Sequence, residues 1–522
     1  MDRKQFIKSN IVLGIGLTAS KISAAVPLPE KKETEHHRVI VIGTGYGAAV
    51  AALRMAEKGI KVLMLEMGMD WPASKEHRTF SKLIFPDKRS TWLKSHSILP
   101  FANVFTFKKY TGVLDRIDTD QLKVYVGRGV GGGSLVNGGM AVVPKRAYFE
   151  SIMPEINAAE MYDKYFPLAN RMLKVNSISP RFFETTPYYK FARTARDQAH
   201  KAGYKTVFVP NVYDFDYMEK ESRKEVYQSA LNGEVVYGNN AGKQSLDKTY
   251  LAAAMKTKNV EIRPLYSVRS IHSTKTGYKL EVDNINTSGD TVFSQDFSCD
   301  FLFVCAGSMG TSELMVKAKA TGTLPALNQE VGEGWGNNGN VMAGRNFIKQ
   351  GTGSKQSCIP TMAIDDWDNK EHPVFAEISP MPMKMETWTS LYLAITKNPN
   401  RGKFSYNALT NKVNLKVAEN FSTNAIADVK QLMDKLNNEN GGTYARLLFK
   451  HGINGEICYH PLGGCVIGRA TDLYGRFKGY ERLYTCDGSL LPGSTGVNPF
   501  VTITAIAERN IEKIIAEDFQ NY

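Results

Sequence analysis

The chain has 522 residues, of which 43% are hydrophobic and 22% are charged, and its formal net charge is +13. This composition is typical of a globular protein long enough for two domains, or for one large domain with an insertion. The Lys and Arg residues are spread along the chain among acidic residues, which indicates a solvated surface. They do not form the basic cluster that a nucleic-acid-binding protein would show, so that class of function is excluded. Weak attraction to an anionic membrane surface stays open.

The first residues have the pattern of an export signal. Arg3, Lys4 and Lys8 precede an apolar run over residues 11–19, and small residues follow at 23–25. We therefore predict a signal peptide over residues 1–25 and an exported protein, secreted or periplasmic. The opening is similar to a twin-arginine signal with lysine in the second basic position. The alternative, a membrane anchor, is disfavoured because the apolar run is too short to span a bilayer.

Cysteine and histidine spacing argues against a disulfide scaffold and against a metal enzyme. The six cysteines show no CxxC spacing and several lie in apolar contexts, so we predict free, buried thiols. None of the nine histidines forms a pair with metal-ligand spacing, and no metal site is predicted.

A strand, a glycine motif and a helix follow one another near the start of the chain. Residues 38–42 form a β-branched run typical of a buried parallel strand, and the next six residues read G-x-G-x-x-A. Gly43 permits a tight turn, Gly45 lets backbone approach a pyrophosphate, and the helix N-terminus faces negative charge. A second strand over residues 61–65 ends at Glu66, which would hold ribose hydroxyls. This order predicts a dinucleotide-binding unit without deciding between NAD and FAD.

Two further stretches favour a large nucleotide cofactor. Residues 127–140 are rich in glycine and carry interleaved apolar side chains, a density that suggests backbone wrapped around an extended ligand. Residues 301–306 form an apolar strand that leads to a helix from about Ser312. That strand either contacts the ligand or is a buried strand of the same sheet without a ligand contact.

Three features near the C-terminus suggest chemistry. His460 lies beside a proline and a glycine pair, in a rigid turn that fixes an imidazole well. A strand runs into a turn at Asp487 and Gly488. Asn498 stands at the start of a helix from about Val501, where it is either an N-cap or a functional side chain.

With these motifs, the chain resembles the glucose-methanol-choline (GMC) family of FAD oxidoreductases over about residues 38–515. Within the family it is most similar to members that oxidise sterols with non-covalently bound FAD. The resemblance includes longer strings of sequence at residues 85–92, 208–215, 244–250 and 375–378. The loop around residues 71–80 departs from the family pattern, which leaves the shape of the substrate entrance undecided.

The resemblance implies a role for individual residues. His460 would meet the substrate hydroxyl, Asn498 would lie against the flavin, and Glu377 would be the base of a steroid isomerisation. Glu377 stands in an apolar stretch with proline at both ends, so desolvation is expected to raise its pKa; the alternative is a paired structural glutamate. No histidine precedes Asn137 where some members attach flavin, so FAD should bind non-covalently. The expected FAD contacts are Gly43, Gly45, Tyr46, Gly47, Glu66, Gly133, Asn137, Gly138, Met140, Val268, His460, Asp487, Gly488, Asn498 and Phe500.

The implied fold class is α/β, or α+β overall, with two domains assembled from discontinuous segments. Residues 36–144, 244–334 and 455–522 would form a Rossmann-like, doubly wound FAD-binding domain. Residues 145–243 and 335–454 would form a substrate (steroid)-binding domain built on a largely antiparallel sheet.

The resemblance therefore implies an enzyme that oxidises the 3β-hydroxyl of a steroid such as cholesterol to a ketone, reduces O2 to H2O2, and isomerises the 5-ene to the 4-en-3-one. The alternatives are a related FAD oxidase or dehydrogenase of another hydrophobic alcohol, and a non-catalytic sterol-binding protein, which would not need Glu377, His460 and Asn498 together. The expected partners are the sterol and O2, with transient membrane-surface contact at an entrance formed by the apolar residues 98–107, and no nucleic acid.

Overall fold

A computed structural model describes residues 30–99 and 105–519. The predicted signal peptide over residues 1–25 lies outside the described residues, and so does the middle of the apolar segment 98–107. Among the described residues, no helix is both long enough and apolar enough to cross a bilayer.

Nineteen strands are present in the described part of the chain. In chain order they are β1 (Glu30–Ile42), β2 (Val62–Glu66), β3 (Leu114–Asp118), β4 (Lys123–Gly127), β5 (Thr206–Phe208), β6 (Val260–Pro264), β7 (Tyr266–Ser273), β8 (Tyr278–Ile285), β9 (Thr291–Val304), β10 (Val341–Asn346), β11 (Met362–Asp366), β12 (Val374–Ser379), β13 (Thr389–Thr396), β14 (Lys403–Asn407), β15 (Lys412–Lys416), β16 (Thr443–Tyr444), β17 (Ile453–Asn454), β18 (Ile457–Cys458) and β19 (Leu483–Tyr484).

Eleven α-helices accompany these strands in the same residues. They are α1 (Tyr46–Glu57), α2 (Arg146–Ile152), α3 (Ala158–Glu160), α4 (Phe166–Met172), α5 (Pro180–Thr185), α6 (Lys190–Lys201), α7 (Phe215–Ser222), α8 (Tyr250–Lys256), α9 (Gly307–Ala320), α10 (Thr423–Asn440) and α11 (Phe500–Asp518). Short 3-10 turns include Gly132–Ser134 in the glycine-rich stretch, Ala230–Asn232 and Gly488–Leu490.

The first sheet is parallel at its centre and buried on both faces. Its order is β6-β2-β1-β9-β8-β7, with β19 also paired to β9, and the pairs among β6, β2, β1, β9 and β19 are parallel. Val39 and Val41 of β1 face a core formed with α1, α8 and α11, while Ile40 and Ile42 face a second core formed with α9. A strand covered on both sides needs apolar residues at every position, which is why this run does not alternate. The doubly wound, Rossmann-like prediction is confirmed.

The second sheet is antiparallel throughout. Its order is β16-β10-β13-β12-β11-β5, with β17 also paired to β10. Its core includes buried side chains of α6 and α10. Within it, Glu377 of β12 is paired with Leu393 of β13. The prediction of a largely antiparallel sheet is confirmed, and this sheet carries Glu377 toward the first one.

Three local details differ from the sequence-based expectations. Strand β1 begins at Glu30, eight residues before the β-branched run, because its polar start pairs with β9. Helix α9 begins at Gly307, directly after its strand, rather than near Ser312. Phe149 and Phe166 pack in the same core as β1 and α11, although they belong to segments predicted for the substrate domain; the domain boundaries themselves stay a prediction.

The cysteines follow the expectation from sequence. All six are described, and each is buried and free of disulfide bonds. No group of three or more His, Cys, Asp or Glu side chains in residues 30–99 and 105–519 is arranged to hold a metal ion.

Candidate active site

The loop between β1 and α1 packs against the ends of two neighbouring strands. Gly43 has φ +95°, and a Cβ there would lie 2.4 Å from the carbonyl oxygen of Cys305. A Cβ on Gly47 would lie 1.8 Å from the carbonyl oxygen of Cys486. Glycine is therefore required at both positions, because the neighbouring backbone lies too close for a side chain. This close packing places the N-terminus of α1 at the carboxyl edge of the sheet.

Gly45 and Gly133 are glycines for a different reason. Gly45 has φ −69°, a conformation open to any residue. A Cβ on either glycine would meet no atom of the described residues within 4 Å. Each faces a cavity of about 1160 Å³, at the N-terminus of α1, where backbone N–H groups favour a phosphate. Open space at these two positions fits the pyrophosphate of a dinucleotide.

A valine at position 45 tests this cradle. We expect Gly45→Val to fold, because nothing in the protein opposes the side chain, and to lose most of its FAD, because the side chain occupies the space of the cofactor. The measurement is FAD released per mole of purified protein, with circular dichroism of the same sample. Gly441→Asn is the matched control, since Gly441 follows α10 at φ +73° and asparagine tolerates that conformation. Full FAD content in Gly45→Val would contradict the assignment.

Glu66 ends β2 on the cavity wall, and both of its oxygens are engaged. Oε2 accepts from Thr44 Oγ1 at 2.7 Å, and Oε1 accepts from the backbone N–H of Gly68 at 2.8 Å. Burial raises the pKa of Glu66, while these hydrogen bonds and the nearby Arg128 oppose the rise. The side chain is therefore held rigidly where the sequence predicts a contact with ribose, and that contact stays a prediction.

The glycine-rich stretch forms the opposite wall. Asn137 Nδ2 donates to the hydroxyl of Tyr46 at 2.6 Å, and the ring of Tyr46 stacks on Phe500 with centroids 5.0 Å apart. The buried amine of Lys243 donates to the backbone oxygens of Leu135, at 3.3 Å, and of Asn137. These contacts fix the backbone of the stretch at the cavity.

Lys243, which supports the glycine-rich wall from behind, was not predicted from the sequence. Its side chain is 1% exposed, and burial lowers the pKa of its amine to about 7. A lysine gives no sequence signal of burial, because most lysines are solvent-exposed.

Asp487 joins β19 to the start of α9. Oδ2 accepts from the backbone N–H of Gly307 at 2.7 Å and from Thr311 Oγ1 at 2.6 Å, and Oδ1 accepts from the N–H of Ser489 at 2.8 Å. Burial raises the pKa of Asp487, against these hydrogen bonds. Gly488 begins the turn that follows, and both residues line the cavity.

Two asparagines determine the protonation of His460. The amide of Asn338 is fixed because Nδ2 donates to the oxygen of Val497 and Oδ1 accepts from the N–H of Thr495. The amide of Asn340 is fixed because Oδ1 accepts from the N–H of His460 itself. Each amide nitrogen therefore faces His460 Nδ1, at 3.2 Å and 3.0 Å. Since amide N–H groups only donate, Nδ1 accepts and the neutral ring carries its hydrogen on Nε2.

His460 is neutral at physiological pH. Burial lowers the pKa of its imidazole to about 3. The residue lines the cavity, and Nδ1 is occupied by the two amides. The ring therefore offers an N–H donor for an oxygen of a bound molecule.

Asn498 and Glu377 stand one behind the other. Asn498 lines the cavity, and its Nδ2 donates to Glu377 Oε2 at a long 3.4 Å. It does not cap α11, which starts two residues later without a side-chain cap. Glu377 is completely buried behind it, and Oε1 has no hydrogen-bond partner among the described residues. Burial raises the pKa of Glu377 to about 8, with the amide of Asn498 opposing. The alternative of a paired structural glutamate is thus not what the structure shows.

The cavity brings the predicted residues together. Glu377 does not line it, because Asn498 forms the wall at that point. Every other predicted site residue does, namely Gly43, Gly45, Tyr46, Gly47, Glu66, Gly133, Asn137, Gly138, Met140, Val268, His460, Asp487, Gly488, Asn498 and Phe500.

The cavity extends past the nucleotide cradle into an apolar chamber between the two sheets. Its volume, about 1160 Å³, exceeds the range of about 300–1,000 Å³ that is usual for one small ligand. Residues that line this part include Met342, Cys358, Pro360, Met381, Met383, Leu391, Leu393, Phe449 and Tyr459. The chamber suits a largely apolar ligand with one polar group near His460.

Comparison with known families agrees with this geometry. Residues 37–334 match the GMC oxidoreductase domain, residues 338–450 match the first part of its C-terminal domain, and residues 402–507 match a further C-terminal domain described as GMC oxidoreductase. The chain belongs to the GMC oxidoreductase family. The family resemblance stated from the sequence is confirmed, and the chain is an FAD-dependent oxidoreductase that acts on alcohols.

Individual relatives are distant but cover most of the chain. A cholesterol oxidase of Acinetobacter baumannii is 24% identical over 92% of this chain and 94% of its own length. A cholesterol oxidase of Mycobacterium tuberculosis is 22% identical over 90% of each chain.

Solved structures show the same fold. A fungal aryl-alcohol oxidase has a TM-score of 0.63 at 12% identity, covering 93% of this chain and 99% of its own. Pyridoxine 4-oxidase from Mesorbium loti has a TM-score of 0.62 at 14% identity, covering 92% and 99%. A variant of a formate oxidase of Aspergillus oryzae, solved to follow the effect of its mutation on FAD modification, has a TM-score of 0.61 at 12% identity, covering 94% of this chain and 100% of its own.

Proposed function

We propose that this enzyme oxidises the 3β-hydroxyl of a sterol such as cholesterol to a ketone, with O2 reduced to H2O2, and then isomerises the 5-ene to the conjugated 4-en-3-one. The observation that carries the proposal is Glu377, a completely buried carboxyl directly behind Asn498 of the cavity wall, which has no cationic partner among the described residues and whose pKa burial raises to about 8. Oxidation of an alcohol alone gives no reason for such a group. The names of the two curated relatives support the same substrate.

Oxidation requires the alcohol to be oriented for loss of a hydride. Bound FAD supplies the hydride acceptor and passes the electrons to O2. His460 donates its Nε2–H to the hydroxyl oxygen and so fixes the carbon that loses hydride, while the apolar chamber excludes water. In this tautomer Nε2 already carries a hydrogen, so His460 orients the hydroxyl and is not its base. In the overall reaction the hydroxyl proton and the hydride leave the alcohol as the two hydrogens of H2O2.

Isomerisation requires a base that moves one proton across the steroid. Glu377, as the carboxylate, removes a proton from C4 and returns it at C6. A carboxyl with a pKa of about 8 gives up a proton more reluctantly than an ordinary one, and the corresponding carboxylate is a stronger base. The long hydrogen bond to Asn498 is the contact that must loosen for Glu377 to reach the ligand.

Two further features belong to the proposal. FAD is held non-covalently, since Val136 rather than histidine stands directly before Asn137; acid precipitation should release all of it. The chain is exported, secreted or periplasmic, by its Tat-like signal over residues 1–25.

The test is product analysis with a panel of alcohols. Purified protein is given cholesterol, a saturated 3β-hydroxysteroid, an aryl alcohol and pyridoxine, and peroxide release and the organic product are measured. The proposal predicts peroxide from both steroids and a conjugated enone from cholesterol. Peroxide release with a non-steroid alcohol and not with either steroid would contradict the proposal and favour a related oxidase of another hydrophobic alcohol. Reduction of artificial electron acceptors without peroxide release would favour a dehydrogenase.

A further inference from the structure

A second pocket lies at the protein surface, apart from the active-site cavity. It has a volume of about 410 Å³, and it is lined by residues 333–334, 401–403 and 416–418 and by Arg469. None of these residues lines the active-site cavity. A ligand of this pocket would therefore be independent of the alcohol that the enzyme oxidises.

The lining of this second pocket, which we call the basic pocket, is strongly cationic. Four of its nine residues are positively charged and one is acidic. The cations are Arg401, Lys403, Lys416 and Arg469, and the acid is Glu333. Arg469 forms an ion pair with Glu330, outside the pocket. The other three cations have no carboxylate oxygen of the described residues within 4.0 Å, so their charge is uncompensated.

Two of these cations stand directly opposite each other on a hairpin. Lys403 of β14 pairs with Lys416 of β15 in the antiparallel register. The next pair, Phe404 and Leu415, is buried on the other face, so both lysine side chains lie on the solvent face. Like charges directly across an antiparallel pair repel each other and destabilise it. An anion bound between the two amines would replace this repulsion with attraction.

The guanidinium of Arg401 is fixed beside this lysine pair. Its Nε donates to the backbone oxygen of Pro492 at 3.1 Å, and its Nη1 donates to the backbone oxygens of Asn398 and Asn400 at 2.7 Å and 2.8 Å. Its Nη2 makes no hydrogen bond to a described residue, and Arg401 lines the pocket. A guanidinium held in this way is suited to donate to an oxyanion.

Glu333 favours one kind of anion over others. A carboxylate only accepts hydrogen bonds, and it repels an anion that carries no proton, such as sulfate. Inorganic phosphate keeps at least one proton at neutral pH, so it can donate to Glu333 while its other oxygens accept from the cations. One acid among four cations therefore fits a protonated phosphate better than a sulfate.

We propose that the basic pocket is a binding site for inorganic phosphate. Arg401, Lys403 and Lys416 donate hydrogen bonds to the phosphate oxygens, and Glu333 accepts the hydrogen bond of the remaining hydroxyl.

The basic pocket adjoins the segments that hold His460 in place. Trp335 and Gly402 exchange backbone hydrogen bonds of 3.0 Å and 2.8 Å. Gly336, next to Trp335, exchanges hydrogen bonds of 2.9 Å and 3.0 Å with Leu462, which follows His460 by two residues. A ligand that binds only the folded protein stabilises it. Bound phosphate should therefore raise the melting temperature of the enzyme.

Titration calorimetry of the holoenzyme tests this binding. The protein is purified without phosphate and titrated with potassium phosphate at neutral pH, with chloride added to keep the ionic strength constant, so that general screening makes no contribution. We expect saturable binding of one phosphate per chain, with a dissociation constant of about 1 mM or lower, and a higher melting temperature at saturation. No saturable binding at about 10 mM phosphate would overturn the proposal.

Variants with a matched control locate the site. Lys403→Gln and Lys416→Gln should each weaken phosphate binding by about tenfold. Their melting temperature without phosphate should not fall, because each removes a like-charge pair. The control is Lys412→Gln, since Lys412 pairs with Asn407 at the other end of the same hairpin and does not line the pocket. Unchanged binding by both folded pocket variants would refute the site.

A change of anion tests the role of Glu333 and separates free phosphate from a phosphate ester. The wild type should bind phosphate about tenfold more tightly than sulfate, and Glu333→Gln should reduce this difference to about twofold or less. At pH 8 methyl phosphate has lost its last proton, whereas inorganic phosphate keeps one, so the ester should bind as weakly as sulfate. Sulfate or methyl phosphate that binds the wild type as tightly as phosphate would overturn the assignment of inorganic phosphate.

Discussion

His460→Ala is expected to lower kcat/KM for alcohol oxidation by about a thousandfold, within the range for a positioned group at the reacting atom. The physical reason is loss of the Nε2–H that orients the hydroxyl oxygen. His460→Gln should retain about ten times more activity than the alanine variant, because its amide supplies an N–H donor in nearly the same place. Steady-state peroxide release over a range of alcohol concentrations measures both.

The pH profile separates a donor from a base. Because burial lowers the pKa of His460 to about 3, the imidazole stays neutral from pH 5 to 9, and oxidation should show no histidine titration in that window. Two results together would show that His460 acts as the base. The glutamine variant would be as inactive as the alanine variant, and the wild-type rate would rise with pH through about 6.5.

Glu377→Gln is expected to reduce isomerisation by a thousandfold or more while oxidation falls by about tenfold at most. The amide fills the same volume and keeps a contact with Asn498, but it cannot accept a proton from C4. The variant should therefore release the 5-en-3-one, identified by chromatography of the product. Full yield of the 4-en-3-one at the wild-type rate would contradict the assignment of Glu377.

A second buried glutamate provides the matched control. Glu221 is also fully buried, and burial raises its pKa to about 7, but it accepts hydrogen bonds from Ser229 N and Leu231 N and does not line the cavity. Glu221→Gln should leave the ratio of the two products unchanged.

The isomerisation step should become faster as pH rises, because the pKa of Glu377 is raised. The carboxylate is the reactive form of Glu377, and its fraction grows as pH rises through about 8. The ratio of isomerised to unisomerised ketone at short reaction times should rise over the same range. A ratio that falls with rising pH would indicate that a protonated group is the catalyst.

Much of the nucleotide half of the site is encoded locally in the sequence. The continuous apolar run of β1, the glycine spacing and the terminal Glu66 each have a local cause, and the parallel sheet follows from them. Chain order alone could not show that Gly43 and Gly47 press on Cys305 and Cys486, more than 250 residues away. The start of α9 at Gly307 was missed because serine, glycine and threonine are weak helix formers that tertiary contacts override.

The substrate half depended on long-range pairing that sequence patterns do not reveal. Asn338 and Asn340 precede His460 by 120 residues or more, and only the fold turns their amides toward its Nδ1. Lys243 gives no sign of its burial, because the carbonyl groups that satisfy it belong to a loop about a hundred residues earlier.

The most direct test of the central claim is a single-turnover experiment without oxygen. The purified holoenzyme is mixed with cholesterol in detergent under anaerobic conditions, and the visible absorbance of its bound flavin is followed. The sterol oxidase assignment predicts rapid bleaching, with one ketone formed per flavin, and return of the absorbance with peroxide when O2 is admitted. A flavin that stays oxidised with cholesterol, yet bleaches with a non-steroid alcohol, would contradict the sterol assignment while leaving the family and the cofactor in place.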